Sequence, residues 1–79
     1  MTSTNYTVGS SGMIMRNGCD TSYYVSGSNI LRGGSFCDLS VGNDGRIMKN
    51  GQDTGYVISC GTIMKDDYDK GYSIDWMFN

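Results

Sequence analysis

Ile47-Met48-Lys49-Asn50-Gly51-Gln52-Asp53-Thr54-Gly55-Tyr56-Val57-Ile58-Ser59 is the stretch that decides the fold. Two short runs rich in β-branched and aromatic residues flank Asn50-Gly51, the dipeptide that best accepts positive φ at both corners of a two-residue hairpin turn. The side chains on either side alternate with the two-residue period of a strand. The stretch therefore reads as strand, turn, strand.

Working outward, variants of this unit fill most of the chain. Alignment on the first isoleucine brings Ile14, Ile30, Ile47 and Ile63 together, at spacings of 16, 17 and 16 residues. Met15, Leu31, Met48 and Met64 follow, then a base in every copy (Arg16, Arg32, Lys49, Lys65), then a turn (Asn17-Gly18, Gly33-Gly34, Asn50-Gly51, Asp66-Asp67). Tyr23, Leu39, Tyr56 and Tyr72 align next, with Val25, Val41, Ile58 and Ile74 two residues later. The pattern predicts an all-β domain of four tandem antiparallel β-hairpin repeats with pseudo-symmetry, about 16 residues each, over 13–26, 29–42, 46–59 and 62–75. Residues 5–8 match a second strand without its first, and 76–79 stand where another first strand would begin. Pairing of these terminal pieces is expected to close a ring and remove the exposed edges. A β-solenoid of 16-residue coils shares the period, but Asn-Gly turns favour an antiparallel return.

Alternation also assigns the faces. Tyr6/Val8, Tyr23/Val25, Leu39/Val41, Tyr56/Ile58 and Tyr72/Ile74 form the expected core face. On the first strands the isoleucines point one way and Met15, Leu31, Met48 and Met64 the other, so those strands are apolar on both sides. The second side must be covered by neighbouring hairpins packed around an axis or by another subunit; at this chain length a subunit interface of Met15, Leu31, Met48, Met64 and Trp76, and hence a homo-oligomer, is expected.

Seventy-nine residues with 12 glycines and no proline suit one small domain with many tight turns. The three cysteines (Cys19, Cys37, Cys60) cannot all pair within one chain, and without histidine or a CxxC spacing they offer no zinc site. Free thiols, no basic-then-apolar leader and no apolar run of about 18 residues lead to the expectation of a soluble cytoplasmic protein. The net charge of −2 argues against generic nucleic-acid binding. The chain has no histidine and no glutamate, and no nucleophile sits beside a base, so a catalytic residue, a cofactor or a metal is not expected.

The pattern I-x-x-x-G-x-x-x-G-Y-V, read from Ile47 to Val57, resembles the short hairpin repeats of four-fold β-flower proteins. The resemblance covers most of the chain and departs at Asp38-Leu39, where the second copy replaces Gly-Tyr. It implies a pseudo-symmetric arrangement of hairpins and no particular activity.

Function is read from the bases. Four of the six positive residues, Arg16, Arg32, Lys49 and Lys65, share one repeat position, so a ring would gather them into a collar suited to a small anion such as a nucleotide. The competing reading is simple cross-hairpin pairing: Arg16 with Asp20, Lys49 with Asp53, Lys65 with Asp69. Phe36 stands where an acid would serve Arg32, making Arg32 the base expected to be open. Tyr24 and Phe36 are the aromatics expected to stack on a ligand, with Tyr68 and Trp76 also unclaimed by the core pattern. The expected function is a non-enzymatic sequestering module, similar in general character to phage-encoded sponges for signalling nucleotides. A protein-interaction module built on the Met/Leu positions is the alternative, and a carbohydrate-binding repeat the third.

Overall fold

Each strand pairs antiparallel with the next in sequence and the last pairs with the first, closing a barrel. The computed structural model describes residues 1–67 and 70–78. Its strands are β1 (Thr2–Val8), β2 (Met13–Arg16), β3 (Cys19–Ser26), β4 (Asn29–Arg32), β5 (Ser35–Val41), β6 (Arg46–Lys49), β7 (Gln52–Ser59) and β8 (Thr62–Lys65), followed by a one-turn helix α1 (Ile74–Met77). Turn chemistry places the hairpins. Asn17-Gly18, Gly33-Gly34 and Asn50-Gly51 all adopt positive φ, from 50° to 89°, as a primed two-residue turn requires. At the opposite end of the barrel Gly45 has φ +86°, and a Cβ there would lie 2.5 Å from the Ile58 carbonyl oxygen. Only glycine fits that corner.

The interior is built in layers. Ile14, Ile30, Ile47 and Ile63 are fully buried, and Tyr6, Tyr23, Leu39 and Tyr56 form the next layer. Val8, Val25, Val41 and Ile58 pack against them, so the core face expected from alternation is the barrel interior. An eight-stranded barrel is just wide enough to be filled by side chains. One polar contact recurs beside each of the four layer isoleucines: Thr4, Thr21 and Thr54 hydroxyls donate to the carbonyls of Ile63, Ile14 and Ile47 at 2.7 Å, and the Cys37 thiol to that of Ile30 at 3.0 Å. Cys37 thus takes a threonine's place as a structural donor.

The fourth hairpin, expected over 62–75, does not form. β8 returns into β1, through Thr2 opposite Lys65, Ser3 opposite Met64 and Thr7 opposite Thr62. Asp66-Asp67 lacks the glycine of the other turns. The Asp66 carboxylate instead accepts from the Asp67 N–H at 2.7 Å, and Tyr72 and Ile74 fall in a loop and in α1. Ring closure is therefore made by β1 with β8, and not by residues 5–8 with 76–79. Trp76 and Met77 are helical, and Asn79 lies outside the described residues. No helix among the described residues is long and apolar enough to cross a membrane.

Candidate functional site

The four repeated bases lie at the same end of the barrel. Each ends a short strand and lies across from an interior residue of the neighbouring strand: Arg16 from Tyr6, Arg32 from Tyr23, Lys49 from Leu39 and Lys65 from Tyr56. Strand order thus sets them on alternate strands around the rim, so that Lys49 and Lys65 flank β7 at about 10 Å, two strand spacings.

The C-terminal segment closes the same mouth. Ile74, Met77 and Phe78 are buried in the core cluster, and the Phe78 ring packs on Tyr6 (centroids 5.6 Å apart) and edge-on to Tyr23 (5.2 Å). Asp75, between the buried residues, is Arg16's partner at 3.6 Å and accepts a hydrogen bond from the Tyr6 hydroxyl at 2.9 Å. Burial foremost, and then the bond to Asp75, push the Tyr6 phenol up to about 12; it is a donor, not a base, at neutral pH. The Tyr56 hydroxyl donates to the Tyr72 carbonyl at 3.3 Å, and the Tyr72 hydroxyl to Gln52 Oε1 at 2.9 Å.

Two of the ion pairs considered, Arg16 with Asp20 and Lys49 with Asp53, are replaced by others. Asp20 and Asp53 each use a carboxylate oxygen to accept from the backbone N–H two residues on, Ser22 at 2.7 Å and Gly55 at 2.8 Å. Those N–H groups belong to residues with φ of 72° and 85°, beside irregularities in the pairing with β2 and β6. Asp53 also meets Arg46 at 3.3 Å and Lys70 at 4.0 Å. Arg46, outside the repeated base position, joins Asp53 to Asp66 at 3.0 Å. Donation from the Asp67 N–H and then from Arg46 holds the Asp66 carboxyl below its ordinary range, and Asp66 in turn raises the Arg46 guanidinium. The partner expected for Lys65, Asp69, lies outside the described residues, as does Tyr68.

The bases thus differ in availability. Arg16 is engaged by Asp75, and Arg32 lies over the Tyr23 ring at 5.4 Å from its centroid. Lys49, expected to be paired with Asp53, has no acidic partner among the described residues, and neither has Lys65. Both open onto cavities. Lys49 lines one of about 400 Å³ with Gly71, Tyr72, Ser73, Trp76 and Met77. Lys65 lines one of about 320 Å³ with Tyr56, Gly71, Tyr72 and Ser73. A third, about 420 Å³, lies beside Arg16, Asp20 and Phe78.

Tyr24 and Phe36 are not brought to this mouth. Both oppose Leu31 across its two neighbouring strands, which puts them on the outer wall. Met15, Leu31, Met48 and Met64 are also on the outside, but on alternate strands around the barrel, so they form no continuous stripe. Leu31 stands in an apolar patch with Tyr24, the 75% exposed Phe36, and Met13 opposite Tyr24. Among the described residues no group of three or more potential metal ligands forms. Asp75, Tyr72 and the Gly71–Ser73 backbone were not singled out as site residues from sequence. The available signal was Ile74, Met77 and Phe78, a single turn at the helical i, i+3, i+4 spacing. Comparison with protein-family models, with curated proteins and with solved structures finds no match to this chain.

Proposed function

We propose that the protein is a non-enzymatic binding module that captures a small anion at the base-ringed mouth. One observation carries this reading: four bases end alternate strands at the same mouth, and the two lysines among them, without acidic partners among the described residues, face adjoining cavities. Ammonium, guanidinium and protonated phenol groups are donors suited to holding an oxyanion. Asp75 illustrates the chemistry, its carboxylate seated between a rim arginine and a tyrosine hydroxyl. We also infer a pseudo-four-fold architecture, in keeping with the β-flower resemblance, whose fourth unit is assembled from β8 and β1. The recurrent donor to each isoleucine carbonyl supports it. The outer patch of Met13, Tyr24, Leu31 and Phe36 supports a second reading, self-association through that wall.

Thermal shift and calorimetry with phosphate, pyrophosphate and nucleotides test the anion reading. A ligand at 100 times its dissociation constant stabilises by about 2.7 kcal/mol, roughly a 10–20 °C rise for a domain of this size. Lys49→Gln should weaken binding more than Arg16→Gln, because Arg16 is already engaged by Asp75. No shift with any of these anions at millimolar concentration would exclude the reading.

A further inference from the structure

Within the mouth, the Lys49 cavity has the most specific composition. Ile74, Met77 and Phe78 turn inward from the C-terminal segment, while Trp76 remains 78% exposed. With Ile74, Met77 and Phe78 on the inner side, the turn leaves Asp75 and Trp76 on its outer side, but the Trp76 ring is not in open solvent alone. Trp76 instead stands at the edge of a cavity whose other walls are Tyr72, Met77, the Gly71 and Ser73 backbone, and Lys49. At about 400 Å³ the cavity lies within the range of small-molecule sites, roughly 300–1,000 Å³. The Tyr72 wall is anchored at both ends, its carbonyl accepting from Tyr56 and its hydroxyl donating to Gln52.

We propose that this cavity takes a planar heteroaromatic ring carrying an anionic group, the class of a nucleoside monophosphate, with the ring on the Trp76 indole and the phosphate on Lys49. The assignment rests on the anion-binding reading above and narrows it. A bare oxyanion makes no use of an exposed indole and a thioether wall. A neutral sugar or nucleoside makes no use of an ammonium without an acidic partner among the described residues. A ring joined to a phosphate uses both, and Lys65, about two strand spacings away across Tyr56, offers a second cation to a longer phosphate chain.

Trp76 is the sole tryptophan, so its fluorescence reports on its own site. The full chain is titrated with the four ribonucleoside 5′-monophosphates, with inorganic phosphate and with adenosine, by fluorescence and calorimetry. At least one monophosphate should quench Trp76 and bind more tightly than either phosphate or adenosine. Trp76→Leu should lose about 5- to 150-fold in affinity for it, the range for one base–aromatic stack, and leave inorganic phosphate unchanged, while Trp76→Phe keeps most of the affinity. Lys49→Gln should weaken the monophosphate and inorganic phosphate alike. Equal affinity for monophosphate and phosphate, both indifferent to Trp76→Leu, overturns this proposal and leaves anion capture standing. Adenosine binding as tightly as its monophosphate removes Lys49 from the site. Absence of binding by every anion overturns both readings. Thermal melts of the variants check that the fold is intact.

Discussion

Replacing Phe78 by alanine tests whether the C-terminal segment belongs to the barrel's core or merely rests on it. The ring is 4% exposed, packs on Tyr6 and Tyr23, and lies with Ile74 and Met77 in the main cluster. Buried Phe→Ala changes cost about 3–5 kcal/mol. A segment near the chain end can relax after truncation, so the lower figure, about 3 kcal/mol, is expected here. A chain of 79 residues has a total stability of about 4–12 kcal/mol, so the loss is a large fraction of the whole. It corresponds to a fall in Tm of roughly 12–24 °C. Trp76→Ala, in the same turn but 78% exposed, should stay within about 0.5 kcal/mol. Urea unfolding followed by far-UV circular dichroism reads both, since strand content does not depend on the replaced rings. A Phe78→Ala midpoint within error of the parent would refute the assignment of the segment to the core, as would equal losses from the two variants.

Tyr6 should ionise above the ordinary phenol range, near 12, in a phenolate absorbance titration. Because its pKa rises on folding, its contribution to stability is complete below about pH 10 and is lost as pH rises through about 12; Asp75→Asn should bring the ionisation to lower pH without reaching the ordinary value, since burial remains, and no movement would contradict the role given to Asp75. On the self-association reading, light scattering should show reversible dimers at high concentration that Phe36→Ser abolishes without lowering Tm, because that ring is already 75% exposed; a monomer at every concentration would exclude it.

The all-β hairpins of the barrel were legible in the chain because their determinants are local. Asn17-Gly18, Gly33-Gly34 and Asn50-Gly51 each carry the turn in two residues, and alternation alone is enough to turn the isoleucines and Tyr6, Tyr23, Leu39 and Tyr56 inward. The hairpin expected over 62–75 does not form because β8 pairs instead with β1, at the other end of the chain. Tyr72 and Ile74 keep the repeat's apolar spacing while serving a different structure, and a two-residue period cannot separate a strand from a loop entering one helical turn. What distinguishes them is the turn: Asp66-Asp67 has no glycine for the second positive-φ corner, while Thr4 in the N-terminal half repeat donates to the Ile63 carbonyl. The free edge of β8 is thus satisfied by β1 with the same bond that joins the other hairpins.

For the candidate site, the strand-end positions of the four bases were legible in the sequence, but their partners were not. Repetition marked Arg16, Arg32, Lys49 and Lys65, and closure of the ring puts them at one mouth. Which of them is open depends on contacts with no sequence period. Asp53, three residues beyond the Asn50-Gly51 turn's start, looks like Lys49's partner, yet it holds the Gly55 N–H and meets Arg46 from β6 and Lys70 from the C-terminal segment. Arg32, which has Phe36 where other hairpins carry an acid, lies over the Tyr23 ring. The decisive element is the segment after β8, which brings Asp75 to Arg16 and Trp76 to the Lys49 cavity from adjacent residues of one turn. That turn breaks the equivalence of the four bases: it engages one with an internal carboxylate and furnishes another with an aromatic wall. A four-fold collar would treat an anion alike from every side, whereas this mouth has one side, at Lys49, with a cation and a ring together.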